Sequence, residues 1–145
     1  MIREGRAADQ PDLARLWCAA WQVTMPAIDF TARLAWFDRH LGGLQAAGAI
    51  ILCAVDASDR VIGFATIDPA TGEMDQLAVA PDAFGNGVAP ALLAEVKRRA
   101  PGFVKLSVNR DNPRAVRFYE REGFRVVGAG VNPGSGLDIS HMEWP

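Results

Sequence analysis

The chain has 145 residues, of which half are hydrophobic, and it carries a formal net charge of −2. This size and composition suit a single globular domain, residues 1–145, with a substantial core. The balanced charge argues against nucleic-acid binding by bulk electrostatics, and every apolar run is too short to cross a bilayer.

The N-terminal residues and the cysteines indicate a cytoplasmic protein. The first six residues lack the basic-then-apolar pattern of a signal peptide. Cys18 and Cys53 have no Cys-x-x-Cys spacing, so we expect two reduced packing residues rather than a disulfide. His40 and His141 are far apart in the sequence, and no cluster of histidine, cysteine and carboxylate residues suggests a metal site.

In chain order, the first half predicts a short strand at 2–4, two helices and three hairpin-linked strands. The first helix begins at residues 9–11, with a proline in its first turn, and is interrupted by Met25 and Pro26. A second helix begins at residues 30–31 and is predicted to end at Gly42 and Gly43. Turn residues then separate strands at 50–55, 61–67 and 73–80.

The second half predicts a helix at 88–99, a strand at 103–108, a further helix and two closing strands. Asn112 can cap that further helix, Pro113 fits its first position, and Gly123 fits the position just past its end. The closing strands are predicted at 124–127 and 137–144, around a loop at 128–136 that is rich in Gly, Pro and Asn.

This order predicts an α/β (α+β) fold with a mixed, mostly antiparallel central sheet of six to seven strands. About four helices should flank the sheet. The strands at 73–80 and 103–108 are joined through a helix, so we expect these two to be parallel.

A glycine turn lies between the strand at 73–80 and the helix at 88–99. Gly85 and Gly87 are separated by one residue, and glycine allows positive φ and close approach of a ligand to the backbone. A helix that begins there directs unpaired N–H groups and its positive dipole end at one point. The turn therefore predicts a site for a phosphate or diphosphate group.

Two segments resemble the motifs of the GNAT superfamily of N-acetyltransferases, and the order of elements fits that superfamily over nearly the whole chain. Residues 75–89 read DQLAVAPDAFGNGVA and are similar to its acetyl-CoA motif, Gln/Arg-x-x-Gly-x-Gly/Ala after a strand. Phe84 stands where that motif usually has Gln or Arg, so we expect weaker cofactor affinity. The residues that resemble its second motif are Asn109, Asn112, Ala115, Phe118, Tyr119, Gly123 and Phe124.

The resemblance implies a single GNAT-like domain that uses acetyl-CoA (coenzyme A). It implies that two parallel strands splay apart and hold the pantetheine arm between them. Asn112 would contact that arm as well as cap its helix, while Lys97, Arg98, Arg114 and Arg117 are either phosphate ligands or solvated charges. The implied diphosphate-binding backbone is that of Phe84, Gly85, Asn86, Gly87, Val88 and Ala89, and the implied arm-binding backbone is that of Leu77, Ala78 and Val79.

Three side chains are candidates for the chemistry. A primary amine must lose a proton before it attacks, and Glu73 matches the position that often supplies the base in this superfamily. Asp75, on the same nominal strand face, is the reserve candidate, and a solvated carboxylate is the alternative for both. Tyr119 matches the position that approaches the thioester sulfur, where a hydrogen bond would support the leaving group, although a core tyrosine remains possible.

The resemblance implies transfer of acetyl to an amine by direct attack in a ternary complex. We expect a small-molecule acceptor, because the chain is short and has no long acceptor loops. The alternatives are acetylation of a protein N-terminus or lysine, and a non-catalytic domain that senses acyl-CoA. The sequence does not reveal the oligomeric state, and a homodimer is expected from how such closing strands often pair.

Overall fold

The computed structural model describes residues 1–100 and 102–145. The described residues form seven strands and four α-helices, with three short 3₁₀ turns. In chain order these are β1 (Ile2–Glu4), α1 (Gln10–Thr24), α2 (Leu34–Ala46), β2 (Ile50–Val55), β3 (Val61–Ile67), β4 (Leu77–Val79), α3 (Val88–Arg99), β5 (Val104–Asn109), α4 (Pro113–Arg121), β6 (Arg125–Val131) and β7 (Asp138–Trp144). No helix among the described residues is long and apolar enough to cross a membrane.

The strands form two antiparallel sheets, and the α/β class predicted from the sequence is confirmed. The first sheet has the order β1-β2-β3-β4 and the second has the order β5-β7-β6. One parallel bridge, between Glu73 and Lys105, joins the chain before β4 to β5. The predicted strand at 73–80 is therefore regular only at Leu77–Val79, and the parallel pairing is limited to its beginning.

The helices cover both faces of the first sheet, as alternate residues of β3 show. Phe64 packs against Phe37 of α2, with ring centroids 6.0 Å apart, and Trp17 of α1 stacks on Phe37 at 4.6 Å. Gly63 points to the other face, where an added Cβ would lie 2.8 Å from Val88 Cγ1 of α3. Because β3 has glycine at this point, α3 can pack directly on the strand and hold its own N-terminus in place.

The end of α2 differs from the sequence-based prediction. The helix does not stop at Gly42 and Gly43 but continues to Ala46. Gly48, with φ of +111°, lies two residues past that end and adopts the left-handed conformation that ends many helices. The two internal glycines are tolerated because Leu41 is fully buried in the core and holds this part of the helix in place.

The closing strands also differ from the prediction. β6 extends to Val131 and β7 begins at Asp138, so the predicted loop at 128–136 is replaced by a shorter connection at 132–137. Gly128 and Gly130 lie opposite or beside His141 of β7, and a Cβ on Gly130 would lie 3.0 Å from His141 Nε2. These two glycines make room for the imidazole on the paired strand. Their segment is therefore part of a strand, although its glycine-rich composition is typical of a loop.

Candidate active site

The loop before α3 has the backbone geometry that its glycines predict. Gly85 and Gly87 have φ of +80° and +79°, and Gly87 is the N-cap residue of α3. An added Cβ on either glycine would meet nothing within 4 Å, so the space beside them is open. The conformation, rather than close packing, therefore requires glycine at both positions.

Four amides of this loop are free to bind a ligand. The N–H groups of Phe84 and Asn86 donate to carbonyls at 3.3 Å, within the turn itself. Within the described part of the chain, the N–H groups of Gly85, Gly87, Val88 and Ala89 have no acceptor. Together with the positive end of the α3 dipole, these N–H groups form a site suited to an anion.

Arg114 lies beside this loop. Its guanidinium carbon is 5.9 Å from the centroid of the Phe84 ring, so this side chain reaches the loop from the start of α4. Within the described residues, Arg114 forms no ion pair. Lys97 and Arg98, the other basic candidates on α3, lie at its far end, where Lys97 donates to the Glu122 carbonyl at 2.6 Å.

A gap separates β4 from β5, and the register of β3 with β4 determines what faces it. Backbone hydrogen bonds join residues 62 and 80 (2.9 Å) and residues 66 and 76 (3.0 Å). In an antiparallel pair such bonds alternate, so Leu77 and Val79 direct their N–H and C=O groups away from β3 and into the gap. Ala78, predicted together with them, directs its backbone groups to β3.

One end of this gap is closed. Met74 donates to the Lys105 carbonyl at 2.9 Å, and Lys105 donates to Gly72 at 2.9 Å, so the two segments are joined there. The buried hydroxyl of Thr66 then accepts the N–H groups of Asp75 (3.2 Å) and Gln76 (3.0 Å). Between the backbone bonds from Thr66 to Gln76 (3.0 Å) and from Asp68 to Glu73 (2.9 Å), two residues oppose one residue of β3, which is the arrangement of a bulge.

The two predicted acids differ in their surroundings. The Glu73 side chain is exposed and has no partner within residues 1–100 and 102–145. Asp75 Oδ2 lies 2.6 Å from His40 Nε2 and accepts from Gln76 Nε2 at 2.9 Å. His40 was not predicted as a functional residue, because it lies on α2, 35 positions before Asp75.

An open cleft of about 250 Å³ lies beside these acids, between the end of α2 and the β3–β4 turn. The carboxylates of Asp68, Glu73 and Asp75 line it, and none of its lining residues within the described ranges is Lys or Arg. Its charge favours a cationic ligand. No group of three metal-ligating side chains occurs in the part of the chain that the structure describes.

Tyr119 lies on α4 with its ring packed between two phenylalanines. The ring centroids of Phe118 and Phe124 are 5.1 and 5.6 Å away, both edge-on. Burial raises the pKa of Tyr119 well above its ordinary value, so the phenol keeps its proton. Among the described residues, its hydroxyl has no hydrogen-bond partner. The only side-chain polar atom there that is both fully buried and without a partner is Arg3 Nε. The Tyr119 hydroxyl is therefore not fully buried and retains contact with solvent.

Asn112 acts as the predicted helix cap. Its Oδ1 accepts the N–H of Ala115 at 3.3 Å, which leaves the side-chain NH₂ available for another partner. Gly123, with φ of +93°, follows the end of α4 as predicted. The cofactor contacts predicted for Asn112 and Tyr119 would both depend on this helix and therefore on its cap.

Comparison with known proteins gives consistent results. Residues 10–124 match the family described as Acetyltransferase (GNAT) family. The chain is similar to peptidyl-lysine N-acetyltransferase YjaB of Escherichia coli (strain K12), with 30% identity over 128 residues, 88% of this chain and 83% of that protein. It also resembles the solution structure of apo-form YjaB, with a TM-score of 0.77, 27% identity and coverage of 99% and 96%. PaiA N-acetyltransferase from Thermoplasma acidophilum in complex with coenzyme A shares the fold, with a TM-score of 0.77, 20% identity and coverage of 99% and 97%.

Proposed function

This chain belongs to the GNAT acetyltransferase family, and from that premise we propose that it transfers acetyl from acetyl-CoA to the ε-amine of a lysine side chain. As a member of this family it is an acetyl-CoA-dependent N-acetyltransferase. The proposal concerns which residues hold the cofactor and which amine accepts the acetyl group. The observation that carries it is the set of four free amides at the open end of the β4–β5 gap.

The residues present fit coenzyme A. The free N–H groups of the loop match the acceptor oxygens of a diphosphate, and the open space beside Gly85 and Gly87 leaves room for it. The outward-facing backbone groups of Leu77 and Val79 would bind the amides of the pantetheine arm. Arg114 would supply a positive charge at the same end of the gap, in place of the Gln or Arg that Phe84 replaces.

The chemistry needs few groups from the protein. Bound acetyl-CoA supplies acetyl as a thioester, so the new C–N bond forms as the C–S bond breaks and the electron pair leaves on sulfur. The Leu77 N–H, directed into the gap, would stabilise the negative charge that develops on the carbonyl oxygen. The protonated Tyr119 hydroxyl would donate a hydrogen bond to the departing sulfur, and the proton lost from the amine completes the thiol.

The acceptor is argued from the acidic cleft and from the relatives. The cleft is open and smaller than most pockets that enclose a small molecule, which suits an amine carried on a long flexible chain. Its three carboxylates favour an ammonium group. The similarity to peptidyl-lysine N-acetyltransferase YjaB supports the same class of acceptor.

A free small-molecule amine, the acceptor predicted from the sequence, is the second candidate. The same carboxylates would attract any aliphatic ammonium ion.

A single domain over residues 1–145, a cytoplasmic location and a homodimer likewise remain predictions.

One set of experiments tests this function. The melting temperature should rise with acetyl-CoA and with CoA, because either ligand would bind the free amides. Thiol release should then be faster with an N-terminally blocked lysine peptide than with a panel of small primary amines, and absent when that lysine is already acetylated. Faster release with a small amine would favour the second candidate. Binding without release for any amine would indicate an acyl-CoA sensor.

A further inference from the structure

His40 and Asp75 form a pair that no neighbouring sequence motif contains. His40 Nε2 lies 2.6 Å from Asp75 Oδ2, and Gln76 Nε2 donates to that same oxygen at 2.9 Å. Since a carboxylate only accepts hydrogen bonds, the imidazole proton lies on Nε2. In the neutral ring, Nδ1 is then the nitrogen with a free lone pair.

The imidazole is also fixed by stacking. Trp36, one turn earlier on α2, stacks on the His40 ring with centroids 4.5 Å apart and an interplanar angle of 13°. Nδ1 has no partner in the described part of the chain, and the His40 side chain is 28% exposed. A substrate can therefore reach a nitrogen whose ring plane and tautomer are both set by its neighbours.

The pair lies at the closed end of the gap. Asp75 lies between Glu73, in the bridge to Lys105, and Leu77, the first residue whose backbone faces the gap. With the diphosphate at the open end, the arm would run towards this closed end, and its acyl group would lie near residues 75–77. Asp75 also lines the acidic cleft through which the amine would enter.

We propose that His40 is the general base of the reaction and that Asp75 is its positioning residue. This rests on the proposed function above. The acceptor ammonium gives one proton to His40 Nδ1, and the electron pair that remains on nitrogen forms the C–N bond. His40 then releases that proton to solvent, while the second amine proton balances the thiolate.

The surroundings of His40 favour this assignment over the predicted base Glu73. Asp75 is the one ionisable side chain in hydrogen-bond contact with His40 among the described residues, while Glu73 and Asp68 line the adjoining cleft. Asp38, on the same helix, accepts a hydrogen bond from Gln10 instead. Within the described residues no side chain bonds the exposed Glu73 carboxylate, whereas Asp75 and Trp36 both contact the His40 ring.

The first test needs no activity. Nitrogen-15 NMR of the free protein, at a pH at which the imidazole is neutral, should show the His40 proton on Nε2. In Asp75→Asn, the amide can donate to Nε2, so the proton should move to Nδ1. A neutral His40 with its proton on Nδ1 in the unmodified protein would overturn the proposal.

The second test compares two acceptors. With saturating acetyl-CoA and lysine peptide, His40→Gln and Asp75→Asn should each lower kcat by about 10²- to 10⁴-fold, the range for general-base catalysis. With an alkoxyamine, which is already unprotonated at neutral pH, the loss should be less than tenfold. Asp38→Asn is the matched carboxylate control on α2 and should retain kcat with both acceptors.

The outcomes separate this proposal from the proposed function. An equal loss with both acceptors, or a selective loss in Glu73→Gln instead of His40→Gln, would overturn the role of His40 while leaving acetyl transfer intact. An unmodified protein that binds CoA but acetylates no amine would reject the proposed function and this inference with it. CoA should raise the melting temperature of His40→Gln and Asp75→Asn as much as that of the unmodified protein, which excludes a folding defect.

Discussion

Gly87 offers a perturbation whose cost can be estimated from the structure. Its φ of +79° lies in the left-handed region, and alanine there costs about 1 kcal/mol of strain. The added Cβ meets nothing within 4 Å, so no packing term is expected. For a chain of this length, Gly87→Ala should therefore lower the melting temperature by about 3 °C.

The effect on coenzyme A binding should be larger than this strain suggests. The methyl group would occupy the open space beside the free amides, where the diphosphate is proposed to lie. We expect at least a tenfold weaker affinity, which corresponds to about 1.4 kcal/mol. Isothermal calorimetry with CoA, together with thermal unfolding of the free protein, measures the two effects separately.

Gly136 provides a matched control. It has φ of +74°, an added Cβ would also meet nothing within 4 Å, and it lies in the β6–β7 connection. Gly136→Ala should show a similar loss of melting temperature and unchanged CoA affinity. Equal CoA affinity in Gly87→Ala and Gly136→Ala would show that the diphosphate does not lie beside Gly87.

Tyr119→Phe should lower kcat about 10- to 100-fold at saturating amine, with little change in melting temperature, because the hydroxyl has no partner among the described residues; unchanged turnover would reject its chemical role. Hydrogen bonds from Arg3 hold the pKa of Asp9 at about 2, below the ordinary 3.8. The ionised carboxylate therefore contributes about 2 kcal/mol to the free energy of unfolding above pH 4, and this contribution is lost as the pH falls towards 2. Asp9→Asn should lack that step in unfolding measured from pH 5 to pH 2, and an identical acid profile would contradict this. Thr66→Val removes the acceptor of two partly buried amides and should destabilise the fold by about 1–3 kcal/mol in urea unfolding, whereas Thr66→Ser, which keeps the hydroxyl, should lose less.

The sequence predicted those parts of the site that depend on neighbouring residues. A glycine that must adopt positive φ, or an asparagine that caps the helix after it, acts within a few positions of the chain. Gly85, Gly87 and Asn112 accordingly have the conformations and the hydrogen bond expected of them. The resemblance added the cofactor, which composition and periodicity alone did not identify.

The parts that were missed depend on contacts between distant segments. His40 meets Asp75 because tertiary packing brings α2 beside a segment 35 residues further along the chain. The predicted strand at 73–80 is broken by the hydroxyl of Thr66, a residue of the previous strand. No pattern within either segment indicates these contacts. The helical spacing of Trp36 and His40, at i and i+4, does predict that these two side chains form a pair.

The free amides of the loop before α3 are the proposed binding site for the diphosphate of coenzyme A. Titration of CoA into nitrogen-15-labelled protein follows the amide signal of each residue. We expect the signals of Gly85, Gly87, Val88 and Ala89 to move together and saturate with one affinity, while that of Gly136 stays in place. Binding of CoA that leaves those four signals unmoved would contradict this placement of the diphosphate.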